Sequence, residues 1–162
     1  MDISFLTQRL AVGEGIWTSE RMGHLARLGF THIISVQAEF DERDLARDWG
    51  LEVLWNPVDD DFQPKPPDFF ARSVEFAKTA LERQENQLYV HCAAGIHRGP
   101  LTCAAILLAW GYSVEDALEL IRRRRPAADF PTVYVASLRR FGGVDESDSP
   151  PVQGSGNAGP VP

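Results

Sequence analysis

Between Leu88 and Pro100 the chain reads LYVHCAAGIHRGP. An apolar run stops at His91 and Cys92. A short loop bearing Gly95 follows, and Arg98 stands six residues after the cysteine, just ahead of a second apolar stretch. These residue types converge on one chemistry. A thiolate held under a phosphorus atom is a nucleophile in position for attack. A guanidinium is a planar fork that grips two oxygens of a phosphate. A loop between a strand and a helix can turn successive backbone N–H groups inward as a concave anion site, and the helix behind it adds its positive end. Helix N-termini and cations also make a thiol more acidic. Taken alone, Cys92 reads as a core thiol as readily as a nucleophile; the glycine, the arginine and the helix start behind it reverse that reading. His91 also reads as a satisfied histidine at a strand end. His97 faces either substrate or solvent.

Such a site needs a strand that stops at the cysteine and a helix that starts after the arginine. QLYVHC supplies the strand, and Pro100 opens a helix through Trp110 that is apolar nearly all round and therefore central. Upstream, RLAVGEGIW gives a short strand broken at Gly13 and Gly15. Its VGEG stretch lacks the third glycine of a dinucleotide fingerprint. Ser19 to Leu28 reads as a helix, Thr31 to Val36 as a buried strand, and Asp41 to Trp49 as a polar helix stopped by Gly50. LEVLWNPV is a further strand, which Pro57 turns into the loop DDDFQPKPP. A long helix runs from Pro67 and Asp68 to about Arg83. Ser113 with Asp116 resembles a capping box for a helix up to Arg124, Pro126 breaks it, and a last amphipathic helix covers Pro131 to Phe141. Strands alternating with helices predict an α/β fold: a central, mostly parallel sheet of four to five strands with helices on both faces. Ligands of such sheets bind beyond the carboxyl ends of the strands, where Cys92 lies.

A length of 162 residues fits one domain, residues 1–141, and a tail, residues 142–162, whose Gly, Pro, Ser and acid content predicts disorder. The net charge of −7 argues against global attraction to nucleic acid or to anionic membranes. Two cysteines make no disulfide framework. Cys103, inside LTCAAILLAW, reads as core. No basic leader opens the chain and no apolar run approaches the ~18 residues of a membrane span, so a soluble, reducing, cytoplasmic setting is expected. Trp17, Trp49, Trp55 and Trp110 read as core residues. The run Arg122 to Arg125 reads as a solvated helix end that complements the dipole, with attraction of acidic substrates as the alternative.

The stretch HCAAGIHRG fits His-Cys-x5-Arg, and from Arg9 to Phe141 the chain resembles the cysteine-dependent protein tyrosine phosphatases, in particular the dual-specificity phosphatase family. The resemblance implies a two-step displacement with no metal or organic cofactor. In it Cys92 takes the phosphoryl group and Arg98 clamps it. An aspartic acid protonates the leaving oxygen and then activates water against the phosphocysteine. His91 orients the loop, and the backbone amides of Ala93, Ala94, Gly95, Ile96, His97 and Arg98 cradle the oxygens. The acid comes from Asp59 to Asp61. The family's spacing to a pair of aromatics, here Phe70 and Phe76, selects Asp60, and DFQP keeps Asp61 as the alternative. Neighbouring carboxylates are expected to raise each other's pKa and keep one protonated. Arg125-Pro126 resembles the family's Arg-Pro, where the arginine is structural.

One departure stands out. The family carries a serine or threonine after the arginine, whose hydroxyl helps the thiolate depart; here Gly99 takes that place, and Thr102 is the substitute donor in reach. Slower hydrolysis of the phosphocysteine is one consequence, and a non-catalytic phosphate-binding module is the alternative it keeps open. A rhodanese-like sulfurtransferase is a second alternative. The loop has no lysine, which argues against polyphosphorylated inositides. The expected substrate is a phosphorylated protein, with phosphotyrosine first and phosphoserine or phosphothreonine in addition, or a small phosphomonoester. A monomer is the default.

Overall fold

Continuous apolar runs form strands where both faces of a sheet are covered. HIISVQ and LYVH are two such runs. The computed structural model of the chain describes residues 1–143 and places them side by side at the middle of a sheet. Its strands are β1 (Ile3–Phe5), β2 (Leu10–Gly13), β3 (His32–Gln37), β4 (Glu52–Val58) and β5 (Leu88–His91). The order is β1-β2-β5-β3-β4, with β1 antiparallel to β2 and every other pair parallel. Register brings Gly13, His91 and Ser35 abreast at the carboxyl end of the sheet.

Side chains alternate across β5. Leu88 and Val90 join the larger core with α3 (Pro67–Leu81), α4 (Arg98–Ala109), α5 (Val114–Arg124) and α6 (Thr132–Phe141). Tyr89 turns to the other face, where α1 (Ser19–Arg27) and the short α2 (Arg43–Arg47) cover it with Met22, Leu25 and Ala46. The fold is thus α/β with helices on both faces of the sheet. As its even hydrophobicity predicts, α4 is central: Leu101 and Cys103 to Leu107 are all buried. The larger of these, Leu101, Ile106 and Leu107, each contribute about 1.5–3 kcal/mol through burial, so α4 is a rigid base for whatever its first turn carries. Ser113 caps α5 as expected, accepting from Asp116 N at 3.0 Å.

Several boundaries differ from the sequence reading for identifiable reasons. Strand β4 covers LEVLWNPV as read but for Leu51, and it keeps Pro57 because β4 is an edge strand, where a missing N–H is tolerated. The first turn of α4 begins at Arg98 rather than Pro100, so Arg98 and Gly99 belong to the helix. The polar segment from Asp41 to Trp49 yields only the five residues of α2. β1, whose three residues carry no clear pattern, was not anticipated. Trp17 and Trp49 are 41% and 38% exposed rather than core. The Trp49 ring packs against Gly23, where a Cβ would come within 2.5 Å of it, and donates to Ser19 Oγ at 3.1 Å. Apart from Gly142 and Gly143, the expected tail lies outside the described residues.

Candidate active site

The loop from Cys92 to Arg98 leaves β5 and enters α4. A trans peptide points its carbonyl and its following N–H to opposite sides, so the partners of the carbonyls reveal where the amides face. The Cys92 carbonyl accepts from His91 Nδ1 at 3.1 Å. Ala93 O accepts from Gly15 N at 3.0 Å, and Ile96 O from Asp129 N at 2.9 Å. Arg125, 2% exposed, donates Nε to Gly95 O at 2.6 Å and Nη2 to Ala94 O at 3.5 Å. His97 O accepts from Leu101 N within α4. Every carbonyl of the loop is engaged on its outer side. Among the described residues none of the N–H groups from Ala93 to His97 donates to a backbone acceptor. They line the inside of a cradle suited to an anion. Gly95 makes the curvature feasible: its φ is +69°, and a Cβ there would come within 2.6 Å of Arg125 Nη2 and of the Gly13 backbone. Arg125 is therefore not part of a solvated run; it is the buried strut of the cradle, and it also reaches Ser4 Oγ at 3.0 Å and Asp2 Oδ2 at 2.9 Å.

Cys92 is 2% exposed at the base of this loop. Arg98 lies buried in the first turn of α4. It donates Nη1 to Val58 O at 2.9 Å and meets Glu39 through Nη2 at 2.9 Å and Nη1 at 3.3 Å. Its Nε is buried and has no hydrogen-bond partner among the described residues. An unsatisfied buried donor costs about 1–3 kcal/mol, which an oxygen of a bound phosphate would relieve. Cys103 is fully buried, and burial pushes its thiol well above the ordinary range, so it is inert. Thr102 does not stand in for the missing hydroxyl: it donates to Arg98 O at 2.9 Å, along its own helix. At Gly99 a Cβ would lie 3.3 Å from Cys92 N and 3.4 Å from Val12 Cγ2, so a side chain there presses on the cysteine.

Sequence reasoning missed Glu42. Strand alternation turns Ser35, Gln37 and His91 to one face, and the carboxylate of Glu42, fully buried, drops onto it. Glu42 Oε2 accepts from Ser35 Oγ at 3.0 Å and Gln37 Nε2 at 3.3 Å, while Oε1 meets His91 Nε2 at 2.5 Å. The opposite ring nitrogen of His91 must donate, because a carbonyl only accepts. Glu42 thus locks the ring orientation that holds the Cys92 carbonyl outward. A glutamate 49 residues away in sequence, in a loop with no motif, leaves no local signal.

The three aspartates of the upstream loop separate clearly. Asp61 pairs with Lys65 Nζ at 2.5 Å, and this hydrogen bond holds its carboxyl below the usual range. Asp60 alone reaches the cradle. Its Oδ2 meets His97 Nδ1 at 2.9 Å and its Oδ1 accepts from Tyr134 of α6 at 2.8 Å. Partial burial raises the Asp60 pKa, but the hydrogen bonds from His97 and Tyr134, with the charges of His97 and Arg98, outweigh it and leave the carboxyl below its ordinary value. The expectation that neighbouring aspartates raise each other is therefore corrected, because each of these two carboxylates faces donors instead of its neighbour. His97 is not free in solvent: its Nε2 meets Asp129 at 3.1 Å. Phe62, at φ +57°, is held by its N–H to Tyr134 at 3.1 Å, and its ring packs on His97 and Tyr134. Asp129 and Tyr134 were likewise missed. Among the described residues no group of three or more His, Cys, Asp or Glu is placed to hold a metal ion. A groove of about 640 Å³ between α3 and β4, lined by His32, Leu54, Arg72 and Phe76, shares no residue with this site.

Protein tyrosine phosphatase type IVA 2 of Mus musculus is 31% identical over 106 residues, 64% of this chain and 62% of that protein. Dual specificity protein phosphatase 5 of Rattus norvegicus is 29% identical over 118 residues, 72% of this chain and 30% of that protein. The chain thus spans less than two thirds of the length of either relative. Among solved structures, Tk-PTP in its active form superposes with a TM-score of 0.77 at 21% identity, covering 88% of this chain and 97% of that one. PTPMT1 gives 0.76 at 20%, covering 87% and 94%. Both share the fold. The family model described as "Dual specificity phosphatase, catalytic domain" matches residues 17–142, and the chain belongs to that family.

Proposed function

We propose that the chain is a cysteine-dependent phosphatase of phosphorylated proteins, acting on phosphotyrosine and also on phosphoserine or phosphothreonine, with small phosphomonoesters as further substrates. Cys92 attacks phosphorus, the amides of residues 93–98 and the guanidinium of Arg98 hold the three oxygens, and Asp60 protonates the leaving oxygen. Asp60 then takes a proton from water as the hydroxyl displaces Cys92. His91 and Glu42 hold the base of the loop in place. The single observation that carries the reading is the row of outward carbonyls from Cys92 to His97, which turns the intervening amides toward one centre. Preorganised donors of this kind stabilise charge without reorganisation during the reaction.

Gly99 supports one second reading, a module that binds phosphate without turning it over. A sulfurtransferase has less support, because an aspartate docked on the cysteine loop has no role in sulfur transfer. A reducing, cytoplasmic setting belongs to the proposal and is supported by the two free cysteines. No helix among the described residues is long and apolar enough to cross a membrane. The experiment is hydrolysis of a generic aryl phosphate by wild type and Cys92→Ser. Turnover by wild type and none by the variant, with phosphate still bound, is expected. A folded wild type that binds phosphate and releases none from the ester would transfer the chain to the second reading.

A further inference from the structure

The site poses a proton problem. A general acid must carry a proton when the ester bond breaks, and efficient ones titrate near the working pH. Asp60 is held the other way, below the ordinary carboxylate range. Among the groups that lower it His97 comes first, so the carboxyl and the imidazole form one proton system, and the proton is to be sought on either partner.

The imidazole of His97 is placed for that. Its Nδ1 lies 2.9 Å from Asp60 Oδ2 and its Nε2 lies 3.1 Å from Asp129 Oδ2. A ring nitrogen between two carboxylates has acceptors on both sides, and both N–H positions can be filled. The ring is fixed from a third side by Phe62, edge to face at 5.4 Å. Tyr134 donates to the other oxygen of Asp60, and burial pushes its phenol up to about 12, so it stays a hydroxyl and is no proton source at neutral pH. The remaining charges around the pair are Arg98, which acts on Asp60 through space, and the Asp61–Lys65 pair of the same loop, which is self-neutralised.

We propose that His97 is a positioning residue that stores the catalytic proton for Asp60, with Asp129 holding the imidazole in its doubly protonated form at rest. The idea rests on the phosphatase reading and accounts for its proton. At rest one proton lies between Nδ1 and Oδ2, mostly on nitrogen. In the reactive form it moves to Asp60, leaving His97 neutral with Nε2–H still on Asp129. As the Cys92–phosphorus bond forms and the ester P–O bond breaks, Asp60 passes the proton to the leaving oxygen. In the second step Asp60 takes a proton from water, the hydroxyl bonds to phosphorus, the S–P bond breaks, and the proton returns to Nδ1. One proton leaves and one arrives, so no other donor is needed.

The test compares wild type with His97→Asn, whose amide can still donate to Asp60 but stores no proton, and with Asp129→Asn, whose side chain meets the far nitrogen of His97. The readouts are the basic limb of the kcat/KM profile against pH and the dependence of rate on the leaving group. The expected results for His97→Asn are a basic limb moved at least about one pH unit toward acid and a loss of about tenfold to a hundredfold on poor leaving groups at neutral pH. The loss should be smaller on good leaving groups, which need no acid. Asp129→Asn should move the limb in the same direction by less. Ring nitrogen NMR of the wild type should show both nitrogens of His97 protonated at neutral pH, a readout that needs no turnover. An unchanged basic limb and an unchanged leaving-group dependence in a folded His97→Asn, or a neutral His97 ring at neutral pH, would overturn the proposal while leaving the phosphatase reading intact. Absence of turnover by wild type would instead remove the reading on which it rests.

Discussion

The two halves of the candidate site are built in opposite ways. The cradle around Cys92 is held by backbone groups and by buried side chains with no freedom: Arg125 and Glu42 are 2% and 0% exposed. The Asp60 loop is held by a chain of side chains, Tyr134–Asp60–His97–Asp129, that runs from the buried Tyr134 out to the exposed Asp129, with Phe62 half exposed and in a left-handed conformation. A phosphate dianion changes little in charge while it is transferred, so its receptor is best made rigid. A proton donor must change state twice per turnover, so its supports need adjustable charge. The contrast implies that damage to the cradle abolishes both binding and chemistry, whereas damage to the acid side is selective for substrate and pH.

The largest break should come from Arg125→Ala. It removes four bonds, leaves the Gly95 carbonyl unsatisfied in a buried setting, frees that of Ala94, and lets their peptides rotate. A drop in melting temperature equivalent to about 3 kcal/mol or more is expected, with at least a hundredfold loss of kcat/KM toward good and poor leaving groups alike. Retention of phosphate binding at wild-type affinity would show that the cradle does not depend on this strut.

Asp60→Asn should be selective instead. About 10²- to 10⁴-fold loss is expected on poor leaving groups, with little change on activated aryl esters, and Asp59→Asn should be nearly silent because the Asp59 carbonyl, which a substitution keeps, is what Lys65 Nζ holds at 2.7 Å. Equal losses for the two, measured on an alkyl phosphate, would reject Asp60 as the acid.

A smaller and sharper effect is expected from Glu42→Gln. The amide can satisfy every partner of the carboxylate, with its oxygen toward Ser35 and Gln37 and its NH₂ toward His91 Nε2. Shape and stability should survive while the negative charge is lost, and activity should fall about tenfold, read as kcat against an unchanged melting curve. Glu42→Ala, by contrast, leaves a buried histidine unpaired and should destabilise by about 3 kcal/mol. Equal behaviour of the two variants would reduce Glu42 to a packing residue.

The same contrast governs what was legible in the sequence. Cys92, Gly95, Arg98 and the helix behind them are neighbours in the chain, so their spacing alone spelled out a cradle. The alternation of apolar strands with amphipathic helices likewise gave the layers and the place of α4. What escaped was held by contacts over 37, 49 and 74 residues: His97 to Asp60, His91 to Glu42, Tyr134 to Asp60. Asp60 and His91 were marked by spacing, but their partners Tyr134 and Glu42 have no pattern that marks them, and Glu42 sits in a segment that reads as a polar surface helix. The Asp60 environment was misjudged for the same reason. Sequence places three carboxylates side by side, while folding turns them to different donors.

The account stands or falls on a sulfur anion that accepts phosphorus inside the cradle. Rapid quenching of the wild-type protein with an aryl phosphate labelled in its phosphoryl group tests this directly. The account predicts protein-bound counts, stable to alkali and released by mild acid, of up to one phosphoryl group per chain on Cys92, absent in Cys92→Ser. Persistence of the label beyond the leaving-group burst is also predicted, because Gly99 offers the departing thiolate no hydroxyl. Steady release of phosphate with no label on Cys92 at any time would contradict it.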